Sequence, residues 1–292
     1  MEAIFEQCEQ FIKRGSSTFH RAFSFLPETQ KNAVYVIYAF CRLIDDAVDE
    51  PETSPFTLEQ LERGLDHLQD TKGHFIWPAL RWLFQTFPRA ERAPFYRQMK
   101  GQRMDYVKTH YDTIEELEEY CYLVAGTVGE MLMPVLHQQP HQADIEAGIA
   151  LGKAMQITNI IRDVGEDMAR GRRYIPLQLM QEHGYTEADL QSKTINESFT
   201  ATIESLMQLS NDWLAQGLSR LHTYPGQSAF CVELAARYYQ AILDVVQDNR
   251  YDVFHKRAVV GKARKMLMLH SIRKKYQHQN KLDGMKELAS SS

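Results

Sequence analysis

The sequence predicts an all-α protein. Apolar residues recur with the helical period through most of the chain, alternating runs that would make strands are nearly absent, and the breaks between periodic segments fall on proline and glycine. At 292 residues, with 44% hydrophobic and 24% charged side chains, the chain holds enough apolar material for a substantial core and is not compositionally disordered. No fixed-period repeat or low-complexity linker divides it. Residues 1–280 are therefore expected to form a single all-helical domain, followed by a polar tail at 281–292 that frays.

The first strongly periodic segment, 30–49, ends before Pro51 and Pro55. At about 100° per residue, Tyr38, Arg42, Asp45 and Asp49 fall on one narrow stripe. Val36, Phe40, Leu43 and Ala47 occupy the opposite side, flanked by Ile37, Ile44 and Val48. A helix apolar over most of its circumference is buried, so the polar stripe should face an interior cavity, where carboxylates need cations or close partners. Segments 57–70 and 91–108 follow, and then 115–136, which contains the richest apolar run, CYLVAGTVGEMLMPVL. Glu130 and Pro134 interrupt that run, while Gly126 and Gly129 leave room for a neighbouring backbone or an apolar ligand.

Pro140 precedes segment 143–168, where Gln156, Asn159, Asp163 and Asp167 share one face and Ala154, Ile157, Ile161 and Val164 the other. Gly171 and Pro176 break the pattern before 198–222, and Pro225-Gly226 precedes 228–250. A basic helix is expected near 256–276, with Lys256, Arg257, Lys262, Arg264 and Lys265 in it. Such a run is ordinarily a solvated face; it also has the charge to close over an anion or attract anionic lipid.

The net charge of −5 argues against nucleic-acid binding, because no field of positive charge awaits a phosphate backbone. Cys8, Cys41, Cys121 and Cys231 are dispersed without metal-ligand spacing and read as reduced core thiols. The start MEAIFEQCEQFIKRG lacks the basic end and apolar run of a signal peptide, and no stretch approaches the roughly 20 apolar residues that span a bilayer. A cytoplasmic protein is expected, with any membrane contact peripheral, at the inner face.

Asp45 with Asp49 and Asp163 with Asp167 each lie one helical turn apart, so the carboxylates of a pair point the same way. Either pair alone is compatible with a solvated acidic stripe. Two carboxylate ledges facing each other across a bundle would instead hold Mg²⁺ or Mn²⁺, hard cations that favour oxygen donors and phosphate. A di-iron bundle is disfavoured, since no Glu is followed by His three residues later.

At these residues the chain resembles the squalene/phytoene synthase family. The resemblance runs over roughly residues 5–275 through SSTFHRAFSFLP, IYAFCRLIDDAVDE, YCYLVAGTVGEMLMP and LGKAMQITNIIRDVGEDMARGRRYIP. It implies an isoprenoid-synthase helical bundle around a central cavity, Mg²⁺ at its mouth, and two prenyl diphosphate substrates. By position, Asp45, Asp49, Asp163 and Asp167 match the family's metal carboxylates, with Asn159 alongside and Asp46 and Glu166 as neighbours. Arg42, Arg162 and Arg257 match bases near the diphosphates, and Ser16 and Thr18 match a hydroxyl pair there. Gly15 stands where relatives can carry a histidine. Tyr38, Tyr120, Gln156, Asn159 and Tyr174 match polar positions lining the reaction centre, and Phe19, Tyr38 and Tyr120 offer ring faces to a carbocation.

AGTVGE followed by RDVGED looks like the carotenoid branch, which implies no NADPH and a downstream carotenoid desaturase. The wording SSTFHRAFSFLPETQKNAVYVIYAFCR is most similar to dehydrosqualene (4,4′-diapophytoene) synthases, implying two farnesyl diphosphates. Phe23 and Tyr35 match positions near the far end of the cavity, where bulky rings shorten the pocket toward C15 substrate. A phytoene synthase using two geranylgeranyl diphosphates and an NADPH-dependent squalene synthase are the nearest alternatives. A terpene cyclase, a head-to-tail prenyltransferase and a non-catalytic helical lipid or metal carrier are more distant ones.

Overall fold

A computed structural model describes the chain through Ser290 and its side chains through His278. In order, the helices are α1 (Glu2–Gly15), α2 (Ser17–Phe23), α3 (Glu28–Asp49), α4 (Leu58–Asp66), α5 (Ile76–Thr86), α6 (Ala93–Met104) and α7 (Ile114–Cys121). A π-helical turn, Tyr122–Gly126, joins α7 to α8 (Thr127–Leu136). Then come α9 (Gln142–Ala169), α10 (Leu177–Glu182), α11 (Glu187–Gln191), α12 (Glu197–Leu218), α13 (Gly226–Asp248) and α14 (Lys262–Ser290). Among the described residues, extended pairing is limited to a bridge between His110 and Arg173, so the all-α expectation holds.

The two acid-bearing helices are structural centres of the molecule. α3 packs against α1, α5, α6 and α8, and α9 against α7, α8, α12 and α13. Val36, Phe40, Leu43 and Ala47 are all buried, as the angular reading of α3 requires, and so are Ala154, Ile157, Ile161 and Val164 on α9. α8 touches both central helices. It approaches α9 backbone to backbone, for a Cβ on Gly129 would fall on the carbonyl of Gly148. Gly126 instead meets the side chains of Tyr122 and Ile149, and Gly129 also borders the apolar cavity between these helices.

Helix starts follow local chemistry. Ser16 caps α2 by accepting from Phe19 N at 3.1 Å, and Thr57 with Gln60 forms a capping box on α4. Cys8, Cys41, Cys121 and Cys231 are free and buried.

Several boundaries depart from the periodic pattern. α1, α2 and α5 were not among its strong segments; α5 (IWPALRWLFQT) is apolar on too many sides to show a clean stripe. Pro134 lies inside α8, in its last turn, rather than breaking it. The basic helix begins at Lys262, and residues 256–261 are irregular, since Val259, Val260 and Gly261 disfavour a helix start. Most of the tail at 281–292 lies within α14 as far as Ser290, but its side chains and its last two residues lie outside the described residues. No helix among the described residues is long and apolar enough to cross a membrane.

Candidate active site

Between α3, α8, α9 and α13 lies a cavity of about 440 Å³, a size typical of small-molecule sites. Its walls are largely apolar: Val34, Ile37, Val128, Leu132, Leu151 and Ile242 all contribute. Its polar rim gathers Ser16, Thr18, Tyr38, Asp45, Gln156, Asn159, Arg162, Arg257 and Lys265 from opposite ends of the sequence. Phe19 and Phe23 also line it, their rings stacked with centroids 5.6 Å apart.

The stripe on α3 follows its spacing in part: Tyr38 and Asp45 reach the cavity, whereas Arg42 turns to Asp46, 2.6 Å away, and Asp49 does not line the cavity. Asp45 accepts from Gln102 Nε2 at 2.7 Å, and burial pushes its carboxyl up to about 7. Asp49, at the end of α3, is held by Arg172 at 3.0 Å and Arg170 at 3.5 Å.

On α9, Asp163 receives a bidentate pair of hydrogen bonds from Arg162, and Arg257 approaches it at 3.2 Å. Arg257 also reaches Glu166 at 3.2 Å. A small residue makes this reach feasible: Gly165 N donates to Val253 O at 3.3 Å, and a Cβ on Gly165 would lie 2.7 Å from the carbonyl of Phe254. The 253–257 segment therefore lies directly on α9. Burial and Asp163 push the Asp167 carboxyl up to about 7, against the pull of Arg172 and Arg170.

Of the four aspartates only Asp45 lines the cavity, and they do not form a ready-made ligand cluster: among the described residues no three acids, histidines or cysteines are gathered closely enough to share an ion. Each pair is engaged with guanidinium or amide partners instead. The donor set nonetheless fits a hard divalent cation. Burial and neighbouring acids push the Asp45 and Asp167 carboxyls up, a cost that a bound cation would relieve, and Asn159 Oδ1 is a buried acceptor without a partner.

Two expectations need correcting. Tyr120 and Tyr174 do not line the cavity; they stand behind the acids, both donating to Asp105 at 3.0 Å. Tyr35 is likewise off the cavity wall, buried with its ring against His20, so only Phe23 of that pair narrows the pocket. Ser16 lines the cavity, yet its oxygen is committed to the cap of α2, leaving its proton to donate. Gly15 accommodates Tyr38, since a Cβ there would fall on the Tyr38 hydroxyl.

Gln102, Asp105, Arg172 and Tyr239 escaped the sequence reading. Tyr239 lines the cavity and meets Phe19 edge-on at 5.4 Å, but α13 is buried so completely that no polar stripe marked it. Lys265 was visible only as part of a basic run; it donates to Thr18 Oγ1 at 2.9 Å. For Arg172, the only local signal was the RGRRY cluster after the second acid pair.

Residues 12–264 match the squalene/phytoene synthase family model. The chain is 35% identical over 288 residues to a 15-cis-phytoene synthase from Synechocystis sp., covering 92% of this chain and 84% of that one. It is also 35% identical to a phytoene synthase from Arthrospira platensis, covering 91% of each chain. The crystal structure of a dehydrosqualene synthase in complex with a ligand superposes with a TM-score of 0.88 at 34% identity, covering 95% of this chain and 98% of that one. Given the helical bundle, the apolar cavity and its acid-and-arginine rim, these matches establish that the chain belongs to the squalene/phytoene synthase family and is a prenyltransferase-type enzyme of head-to-head condensation.

Proposed function

We propose that the enzyme condenses two farnesyl diphosphates to dehydrosqualene without NADPH. The observation that carries this reading is the Phe19–Phe23 stack, which projects into the cavity and limits the apolar space left for a prenyl tail. One observation favours a second reading, two geranylgeranyl diphosphates to phytoene: the curated relatives that span nine-tenths of the chain are named phytoene synthases.

In the proposed reaction the C1–O bond of one allylic substrate breaks with both electrons leaving on diphosphate. Arg162, Arg257 and Lys265 on the rim stand ready to hold its oxygens. Asp45, Asp49, Asp163, Asp167 and Asn159 would hold Mg²⁺, which supplies positive charge to the departing oxygens. The double bond of the second substrate attacks the allylic cation, and proton loss closes a cyclopropylcarbinyl diphosphate. A second ionisation lets the ring rearrange to the 1–1′ linkage, and loss of a further proton leaves a central conjugated triene. Phe19, Tyr38 and Tyr239 present rings to the cations, and the apolar walls exclude the water that would divert them to alcohols.

The test is purified protein with Mg²⁺ and either farnesyl or geranylgeranyl diphosphate, each with and without NADPH, with products identified by mass and ultraviolet spectrum. A C30 triene formed from C15 substrate without NADPH is expected. Preferential C40 product would support the second reading, and the absence of any C30 or C40 hydrocarbon would defeat both.

A further inference from the structure

The cavity closes at the end opposite its acids. On α9 its lining residues run from Arg162 and Asn159 at the rim through Gly152 to Gly148, and on α3 from Asp45 through Cys41 to Val34. At about 1.5 Å per residue, the α9 row is about 21 Å long. At its far end the wall is completed by Met133 and Leu136 of α8 and by Tyr224, which lies just before α13. Met133 lies over Gly148, where a Cβ would come within 2.7 Å of its Cε, and the Tyr224 hydroxyl donates to Met133 Sδ at 3.7 Å.

What holds Tyr224 there is polar and buried. Its ring meets His137 edge-on, with centroids 5.1 Å apart. His137 follows the last turn of α8 and is buried; its Nδ1 accepts from Gln139 N at 3.1 Å, which leaves the hydrogen of the neutral ring on Nε2. That nitrogen has no hydrogen-bond partner among the described residues and stands 3.9 Å from Asp144 Oδ2. Asp144, fully buried one helical turn before Gly148, ties the two sides of the floor together. Its Oδ2 accepts from His141 N at 2.9 Å, and its Oδ1 from Arg220 at 2.9 Å and Thr223 at 3.0 Å. Arg220 and Thr223 belong to the short α12–α13 connection that carries Tyr224. The α8 side is fixed independently, by Gln30 Nε2 on Val135 O at 2.9 Å and by Arg89 on Gln138 O at 2.6 Å.

From this arrangement we infer that Asp144 and His137 are positioning residues for Tyr224, and that this brace sets the longest prenyl tail the enzyme accepts. The inference rests on the condensation proposed above and names what closes its tail pocket. Phe23 narrows the cavity from α2, and Tyr224 ends it. A ring free to swing away would open the floor toward the α12–α13 connection and admit a tail one isoprene unit longer. A ring whose connection is pinned by a buried, hydrogen-bonded ion pair keeps its place, because moving it would strip Asp144 of its partners. A carboxylate that served the fold alone would leave the length of the cavity untouched.

The test is a competition among farnesyl, geranylgeranyl and geranylfarnesyl diphosphates, with the chain lengths of the condensed products read by mass. Tyr224→Ala should raise the share of the longer substrates at least about tenfold over wild type, whereas Tyr224→Phe, which keeps the ring, should leave it unchanged. His137→Ala should raise the share roughly three- to tenfold, the scale of a lost aromatic contact, and Asp144→Asn should move it the same way. Asp144→Asn also lowers the melting temperature. Leu83→Ala, which opens a cavity in the buried face of α5, therefore serves as the control for lost stability and should keep the wild-type share. Where Asp144→Asn does not fold, His137→Ala at the end of α8 carries the comparison. Because every share is measured against wild type, a wild type that favours C20 substrate changes the function proposed above and leaves this inference standing. Wild-type shares in Tyr224→Ala or His137→Ala, or an equal shift in Leu83→Ala, would overturn the brace. A wild type that condenses none of the three substrates would overturn both readings.

Discussion

Arg172 donates to Asp49 at 3.0 Å, joining the segment that follows α9 to the last turn of α3 across 123 residues of sequence. The same guanidinium lies 3.8 Å from Asp105, the carboxylate that collects the hydroxyls of Tyr120 and Tyr174, and it pulls down the pKa of Asp167. One cation thus holds the two acid-bearing helices in register.

Substituting Arg172→Met should therefore reduce turnover by roughly 10–100-fold, the usual cost of losing a group that orients metal ligands, if Asp49 and Asp167 hold Mg²⁺ as proposed. A Mg²⁺ titration of activity should shift to higher concentration while the far-ultraviolet circular dichroism stays helical. Unchanged turnover and Mg²⁺ dependence would mean that Arg172 is a surface bystander.

Asp45→Asn and Asp163→Asn should each lower kcat by about 10²–10³, the scale of losing one element of charge stabilisation in a water-poor site. Asp163→Asn should also loosen Arg257, which pairs with it at 3.2 Å, so KM for the diphosphate substrate should rise in that variant more than in Asp45→Asn. Steady-state kinetics on both variants check the difference.

The pH dependence of stability has a definite sign. Asp45 and Asp167 are raised from 3.8 to about 7, so the folded state holds protons that the unfolded chain has already released. Metal-free protein should accordingly lose stability as pH rises from about 4 through about 7, and added Mg²⁺ should restore more at pH 8 than at pH 5.5. Asp144, fully buried and bonded to Arg220 and Thr223, is lowered from 3.8 to about 2; its contribution is present above pH 3.8 and lost as pH falls toward 2. Thermal melts across pH, with and without Mg²⁺, read both effects, and Asp45→Asn should flatten the upper one.

Phe23→Ala should raise the turnover of C20 relative to C15 substrate, because Phe23 is the ring of the predicted pair that lines the cavity. Tyr35→Phe should leave that ratio unchanged and the melting temperature equal or higher, since the Tyr35 hydroxyl is buried without a hydrogen-bond partner. Competition assays with mixed diphosphates decide the first point and calorimetry the second.

Gly165→Ala should cost about 1–3 kcal/mol, as the added methyl meets the Phe254 carbonyl 2.7 Å away, a backbone atom that no side-chain rotation relieves. Displacing the 253–257 segment also draws Arg257 from Asp163, so kcat/KM should fall together with the denaturation midpoint. A variant with reduced stability and wild-type kcat/KM would separate the loop's packing from its placement of Arg257.

Local sequence determined much of this protein. The helical period marks α3 and α9, their polar stripes and their buried faces, because each depends only on neighbours within about a turn. The spacing of Tyr38, Asp45, Gln156 and Asn159 accordingly put them on faces that line the cavity, although Arg42, Asp49, Asp163 and Asp167 of the same stripes do not line it. Only tertiary structure decided what meets those faces. Gln102 reaches Asp45 from α6, Arg172 reaches Asp49 from beyond α9, and Tyr239 enters from a helix buried on nearly every side. It also placed Tyr120 and Tyr174 behind the acids on Asp105, and Tyr35 off the cavity wall. Periodicity encodes direction about a single helix axis, whereas the partner of a buried charge depends on how separate helices cross and on where Gly129 and Gly165 allow backbones to touch.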